Sequence, residues 1–223
     1  MASSLNQLTY EYLKRDIMTF ALKPGEPVSA AKIAERYNVS RTPAREALVK
    51  LETEGLIDIF PQSKSVISKI DVNRAKQEWF IRKTLELGMV DDLFANVKES
   101  DILKMRSFCR KMEEVMGSIA THESAYEYLH NDNEFHAMTY RIAGQTFAAE
   151  VIAATMTHYN RMRLLIDLEN ANMTRTVTTH EQLIKCIENK DKEAYRELLT
   201  KHLGYISQDI EDMRSKNPDL FMD

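Results

Sequence analysis

Four of the five prolines, Pro24, Pro27, Pro43 and Pro61, lie before residue 62, and the fifth is Pro218. Proline lacks the backbone N–H and its ring clashes with the preceding helical turn, so it punctuates whatever helix it meets. The first third of the chain must therefore fold as short, interrupted elements. From Asp71 onward nothing breaks a helix by that route until Pro218, and the chain is free to build long ones.

The early elements follow in a definite order. Tyr10, Leu13, Ile17 and Phe20 keep a three-four spacing, which predicts a helix over 6–20 with one buried stripe. ALKPGEPVS reads as a turn, with Ser29 placed to cap a short helix over 30–37 and Asn38 suited to the left-handed residue that ends it. VSRTPAREALVKL then predicts a third helix, and GLIDIF and SVISKI, separated by PQSK, predict a two-stranded hairpin. Helix, helix, short turn, helix and hairpin make the layout of a winged helix-turn-helix.

Beyond residue 71 the pattern is helical throughout, with helices expected over 73–96, 101–118, 123–143, 147–170, 178–189 and 191–216. Trp79, Leu85, Met89 and Leu93 suit a buried face, as do Leu103, Phe108, Met112 and Val115. The twelve methionines, most of them here, read as core filling. The fold class expected is mainly α: an N-terminal winged helix-turn-helix over 1–70, then an all-helical bundle over 71–223. Residues 1–70 hold 10 Lys/Arg against 8 Asp/Glu, within a chain of net charge −4, so the positive excess sits in the N-terminal part. No apolar run is long enough to span a bilayer and no signal peptide is evident. Cys109 and Cys186 form neither a close pair nor a metal spacing. A reducing cytoplasm is the expected location, with no membrane partner.

The third helix carries the clearest chemistry. Placed on a helix, Ala44, Ala47, Leu48 and Leu51 fall on the inward side, and Arg41, Thr42, Arg45 and Val49 on the other. Ser40 or Thr42 can cap the start. Two guanidinium groups and two hydroxyls at a helix N-terminus, where backbone N–H groups add positive potential, suit the edges of guanine and the phosphates of DNA. The alternative is a solvated helix start whose arginines pair with Glu46 or Glu52.

VSRTPAREALVKLETEGLI, with LKPGEPVSAAKIAERYNVS upstream, resembles the DNA-binding domain of GntR-family transcription factors over residues 8–68. The resemblance assigns DNA contact to Ser40, Arg41, Thr42 and Arg45. The chain departs from the family at the wing tip, where Gln62-Ser63-Lys64 replaces the usual glycine, and at Ala30-Ala31, where the family has an arginine or acidic residue. Lys64 is a candidate for a phosphate or minor-groove contact instead.

Among six histidines, Asp132 and His136 in NDNEFHAMTY stand one helical turn apart, near enough to share an ion, and His180 and His202 lie on separate helices. Spacing alone leaves each as a capping or partly exposed residue, and does not bring them together. EWFIRKTLELG, NDNEFHAMTYRIAG and THEQLIKCIENKDKEAYRELLTKHL, within residues 74–210, and the tail NPDLF resemble the helical FCD effector domain of the FadR-type branch of the family. That resemblance implies a divalent metal held by Asp132, His136, His180 and His202. Such a donor set suits zinc first, with nickel and manganese as alternatives. It also implies a small organic-acid or sugar-acid effector beside the metal, for which Arg82 and Arg163 are the candidate partners. His122, His130 and His158 match nothing and are expected at the surface.

The function expected is a dimeric, ligand-responsive transcriptional repressor on a palindromic DNA operator. A metal-dependent hydrolase and a pure metal sensor built on the helical domain are the alternatives. The chain has no nucleophile motif and no phosphate-binding glycine loop, which argues against an enzyme.

Overall fold

The computed structural model describes residues 4–60, 64–116, 121–168, 173–205, 210 and 213–222. Helix α1 (Leu5–Met18) is capped by Ser4, whose hydroxyl accepts from the Gln7 N–H. It ends two residues earlier than its apolar spacing suggests. Phe20 takes a positive φ of 57° and turns away to pack with the helical part of the molecule. Helix α2 (Ala30–Tyr37) begins at the Ser29 cap and stops at left-handed Asn38, as expected. Helix α3 (Arg41–Thr53) buries Ala44, Ala47, Leu48 and Leu51 against Leu13 and Ile17 of α1 and Ile33 of α2.

The wing has one strand more than the hairpin expected. Strand β1 (Pro27–Val28), inside the segment read as a turn, joins β2 (Ile57–Ile59) and β3 (Ser65–Ile67) in an antiparallel sheet ordered β1-β3-β2. Val28 pairs with Ser65 and Ile57 with Ile67. Two residues are too few for period-two alternation to register in a sequence.

Two of the long helices expected are broken. The segment 73–96 divides at Met89 into α4 (Val72–Gly88) and α5 (Val90–Asn96). Gly88 is a poor helix former, and Asp91 and Asp92 favour the first turn of a new helix. Helix α6 (Glu99–Met116) and helix α7 (His122–Ile142) follow, the latter opened by a Thr121–Ser124 capping box. The segment 147–170 divides at Met156 into α8 (Thr146–Thr155) and α9 (Thr157–Leu168). Tertiary partners make this second break. The Thr157 hydroxyl donates to the Glu54 carbonyl at 2.9 Å, and the Tyr159 N–H donates to buried Glu78 of α4 at 2.8 Å. Glu78 thus acts as an acidic cap brought from another helix. Helix α10 (Met173–Glu188) starts five residues before the expected 178. Helix α11 (Lys192–Gly204) follows the Asp191 cap; within the rest of the expected 191–216, residues 210 and 213–216 are helical, and 206–209, 211 and 212 lie outside the described residues.

Helix α4 inverts the expected pattern. Its buried face is Val72, Ala75, Glu78, Arg82 and Glu86, whereas Leu85 is 37% exposed and Phe80 63%. Trp79 is half-buried, its indole N–H donating to the Leu203 carbonyl. Leu103 of α6, expected in the core, is 61% exposed.

The winged part is tied to the bundle through several contacts. Arg15 pairs with Glu123, and Ile70 forms a parallel bridge with Phe221. His158 does not lie at the surface: it is buried, its Nδ1 accepting from the Asp71 N–H at 3.0 Å. Burial there pushes its imidazole down to about 4. Gly55 passes so close that an added Cβ would stand 3.2 Å from His158 Nε2, at a φ of +75°.

Candidate metal centre and DNA-reading helix

Asp132, His136, His180 and His202 come together in the bundle, with one donor atom from each lying within 4.8 Å of all the others. Helix α7 brings Asp132 and His136 on one face, α10 brings His180 and α11 brings His202. The Nε2 atoms of His180 and His136 each stand 3.2 Å from His202 Nε2. Asp132 Oδ1 is 3.6 Å from His180 Nε2. Asp132, His136 and His180 are buried, and His202 keeps partial exposure.

The surroundings set the protonation of this cluster. His136 Nδ1 lies 2.7 Å from Glu86 Oε2, and Glu86 accepts from Arg82 Nε at 2.7 Å. A carboxylate at Nδ1 holds the proton there and leaves Nε2 as a lone pair facing its neighbours. The Phe135 ring stacks on His180 at 3.9 Å between centroids. Burial pushes the His180 imidazole down to about 3 and the His202 imidazole well below its ordinary range. Burial pushes Asp132 up, but Arg163, His136, His180 and Arg82 outweigh it and hold the carboxyl well below the usual carboxylate range. Burial likewise raises Glu86, while His136 and Arg82 bring it down to about 2. The cluster therefore favours neutral imidazoles at His180 and His202 and a charged carboxylate at Asp132, which are ligand forms a divalent ion requires.

Asp132 Oδ1 has no hydrogen-bond partner among the described residues although it is buried. Three imidazole nitrogens also face one another, and ring protons alone cannot satisfy that arrangement. Both features fit an ion at the centre. The buried Nδ1 atoms of His180 and His202 are also without partners among the described residues.

Arg82 and Arg163 reach the same place, but as parts of the ion-pair network. Arg82 is buried between Glu86 and Asp132, its Nη2 3.8 Å from Asp132 Oδ2. Arg163 pairs with Asp132 Oδ2 and donates to Asn133 at 2.7 Å. Together with Asp132, His202 and Tyr159 they line a cavity of about 60 Å³, which Asp167 also faces. Asp167 is buried, its Oδ2 lacks a partner among the described residues, and burial raises its carboxyl to about 7.

Glu86, Phe135 and Asp167 were missed by sequence reasoning. Glu86 had a signal: Glu78, Arg82 and Glu86 recur every four residues on α4, so three charges share a face with apolar residues opposite. Arg161 had none. It is fully buried with its guanidinium nitrogens unpartnered among the described residues, 5.8 Å from the Phe20 ring centroid.

The start of α3 is the opposite kind of site. Arg41, Thr42 and Arg45 are exposed, and neither arginine makes a hydrogen bond or ion pair among the described residues. Glu46 accepts from Asn6 rather than from either arginine. Ser40 occupies the N-cap position with its hydroxyl unused for capping. Lys64 is exposed at the edge of the wing, while Pro61, Gln62 and Ser63 lie outside the described residues.

The chain matches the FCD domain over residues 79–205, more than half its length, and the bacterial regulatory proteins of the gntR family over residues 5–67. It belongs to the GntR family of regulators. The HTH-type transcriptional repressor RspR of Escherichia coli is 27% identical, covering 97% of this chain and 93% of its own. The gluconate operon transcriptional repressor of Bacillus subtilis is 24% identical, covering 95% and 87%. The solved structure of E. coli McbR/YncC shares the fold, with a TM-score of 0.74 and 21% identity, covering 96% of this chain and 99% of that one. GntR-family members are regulators of transcription rather than enzymes. No helix among the described residues is long and apolar enough to cross a membrane.

Proposed function

We propose that this GntR-family regulator is a cytoplasmic, homodimeric repressor with a DNA-binding unit over 1–70 and an effector-binding unit over 71–223. The observation that carries the reading is the start of α3. Two unpaired arginines, Arg41 and Arg45, stand in solvent beside Ser40 and Thr42 on a helix whose other face is locked into the core. Such groups are free to meet base edges and phosphates, and Lys64 extends the same basic surface along the wing. Repression is supported by two relatives named as repressors.

The second half of the reading is a divalent ion held by Asp132, His136, His180 and His202, with zinc the first choice and nickel or manganese as alternatives. The donor set of three imidazoles and one carboxylate supports it. With Asp132 committed to an ion, Arg163, and Arg82 beside it, become partners for the carboxylate of a small organic-acid or sugar-acid effector. The cavity of about 60 Å³ admits the acid head group. Two nearby carboxylates are already engaged and so are not free to serve as a general base for hydrolysis, Glu86 with Arg82 and His136, and Glu134 with Arg141.

The dimer face that suits the structure is α4, whose exposed Phe80, Ile81 and Leu85 form an apolar stripe. Phe80→Glu should convert a dimer to a monomer in sedimentation at micromolar concentration; an unchanged dimer would place the interface elsewhere. The reading as a whole is tested by selection from random duplexes. The purified chain should enrich a palindrome, and recovery of no sequence preference would overturn the assignment.

A further inference from the structure

Only one of the three clustered imidazoles has its outer nitrogen held. The Nδ1 atoms of His180 and His202 are buried and unpartnered among the described residues, whereas His136 Nδ1 meets Glu86 Oε2 at 2.7 Å. Glu86 is itself buried, and its other oxygen accepts from Arg82 Nε at 2.7 Å. Arg82 and Glu86 stand one turn apart on α4, a helix that supplies none of the four donors.

The Glu86 carboxylate fixes the His136 ring. It turns Nε2 inward, 3.2 Å from His202 Nε2 and 3.9 Å from Asp132 Oδ2. It also offsets a charge. Arg82 Nη2 stands 3.8 Å from Asp132 Oδ2, and Arg163 pairs with the same oxygen. Asp132 alone would face two guanidinium groups, and that excess would repel a dication. Glu86 brings the balance to two cations and two anions.

We propose that Glu86 is a positioning residue of the metal centre: through His136 and Arg82 it sets how tightly the four-residue site holds a divalent ion. The inference rests on the metal reading of Asp132, His136, His180 and His202, and extends it to a helix outside the donor set. A histidine whose ring is held in place loses no orientation when it takes up an ion. His180 and His202 have no such support at Nδ1 among the described residues, so the grip of the site depends on His136.

The test is zinc titration of the full-length chain, first stripped with EDTA and dialysed, in competition with a chromophoric chelator. Glu86→Gln keeps the size of the side chain and removes its charge. Its zinc affinity should fall about 10- to 100-fold. Glu86→Asp keeps the charge but draws it back by one methylene; it should also lose affinity, and it serves alone if Glu86→Gln does not fold. Cobalt(II) in place of zinc reports the ligand field, and its visible bands should shift in both variants. Glu78→Gln is the control. It removes an equally buried carboxylate of the same helix, whose partners are Arg74 and the Tyr159 N–H instead. It should lower the melting temperature by uncapping α9, yet keep the zinc affinity and cobalt bands of the unaltered chain. The proposal is overturned by full zinc affinity or unshifted cobalt bands in the folded Glu86 variants. An equal loss of zinc affinity in Glu78→Gln overturns it too, since the effect would then be one of general stability. If the unaltered chain takes up no zinc, the metal reading itself has failed. If it binds zinc and the Glu86 variants bind equally well, the metal centre stands and the role of Glu86 falls.

Discussion

Arg41 opens α3 and Arg163 sits midway along α9, and the structure treats them in opposite ways. Arg41, with Arg45, stands in solvent with no partner among the described residues. Arg163, with Arg82, is drawn into a network of Asp132, Glu86 and three histidines. The first pair keeps its binding capacity in reserve for a partner outside the molecule. The second spends it holding a carboxylate in place until something stronger takes that carboxylate. Arginine content therefore says little about role; what matters is whether the protein has already neutralised the charge.

The largest effect expected from breaking this contrast falls on the buried side. His180→Ala removes one donor of four and opens a hole under the Phe135 ring. Metal content should fall sharply by atomic emission, and thermal stability should drop by several kcal/mol, since an ion present at 100 to 1,000 times its dissociation constant contributes about 3–4 kcal/mol. Operator binding should persist but no longer respond to effector, because the α3 arginines lie on another unit. Full metal occupancy in the folded variant would return these histidines to an ordinary buried role.

Next comes the open side. Arg41→Ala and Arg45→Ala should each cost about 1–3 kcal/mol of specific operator binding in fluorescence anisotropy. Neither should shift the melting temperature, since neither side chain has a partner in the fold. A loss of stability comparable to the loss of binding would mean that the arginines serve the fold after all.

A smaller effect concerns Asp167, which is buried beside the cavity lined by Arg82 and Arg163. Its folded carboxyl titrates at about 7, against about 3.9 when unfolded. Between those values the folded state holds the extra proton, so its contribution to stability falls as pH rises from about 4 to about 7, by at most roughly 1.4 kcal/mol per pH unit. His158, His180 and His202, whose folded imidazoles are lowered, make stability rise over the same range. Urea denaturation of EDTA-treated protein from pH 5 to 7 should therefore show a net rise, which Asp167→Asn steepens. Equal slopes in both proteins would show that Asp167 is not among the titrating groups.

How far the sequence could be read follows the same division. The elements of the winged part were legible, because their signals are local: the Ser29 cap, the Asn38 left-handed stop and the Ala44–Leu51 inward face all depend on neighbours in the chain. The two-residue strand β1 was not, since its only warrant is the pairing with β3. In the bundle the decisive forces are long-range. Met156 breaks a helix because Glu54 and Glu78 capture groups at the start of α9, from about 100 and 80 residues away in the chain. Helix α4 places charge inward because Asp132 and His136 await it there. The four cluster residues were named through family resemblance, and the spacing of His180 and His202 alone would not have joined them. The partners that orient them, Glu86 and Phe135, left only a faint trace or none.

The smallest effect sharpens the contrast at its edge. Lys64 belongs with Arg41 and Arg45 by exposure, but it sits on the wing, beyond strands whose pairing fixes only the backbone around it. A lysine there offers a point charge on a flexible stem, suited to phosphate rather than to base edges. Lys64→Ala should therefore weaken operator and non-operator DNA alike, by a few-fold, leaving their ratio unchanged. One phosphate contact fewer should lower the slope of log affinity against log salt by about 1. Anisotropy titrations on both duplexes at several salt concentrations measure both quantities together. An unchanged slope means that Lys64 contacts no phosphate. A slope that falls while only operator binding weakens means that the wing reads sequence, which would move Lys64 into the same class as the two arginines of α3.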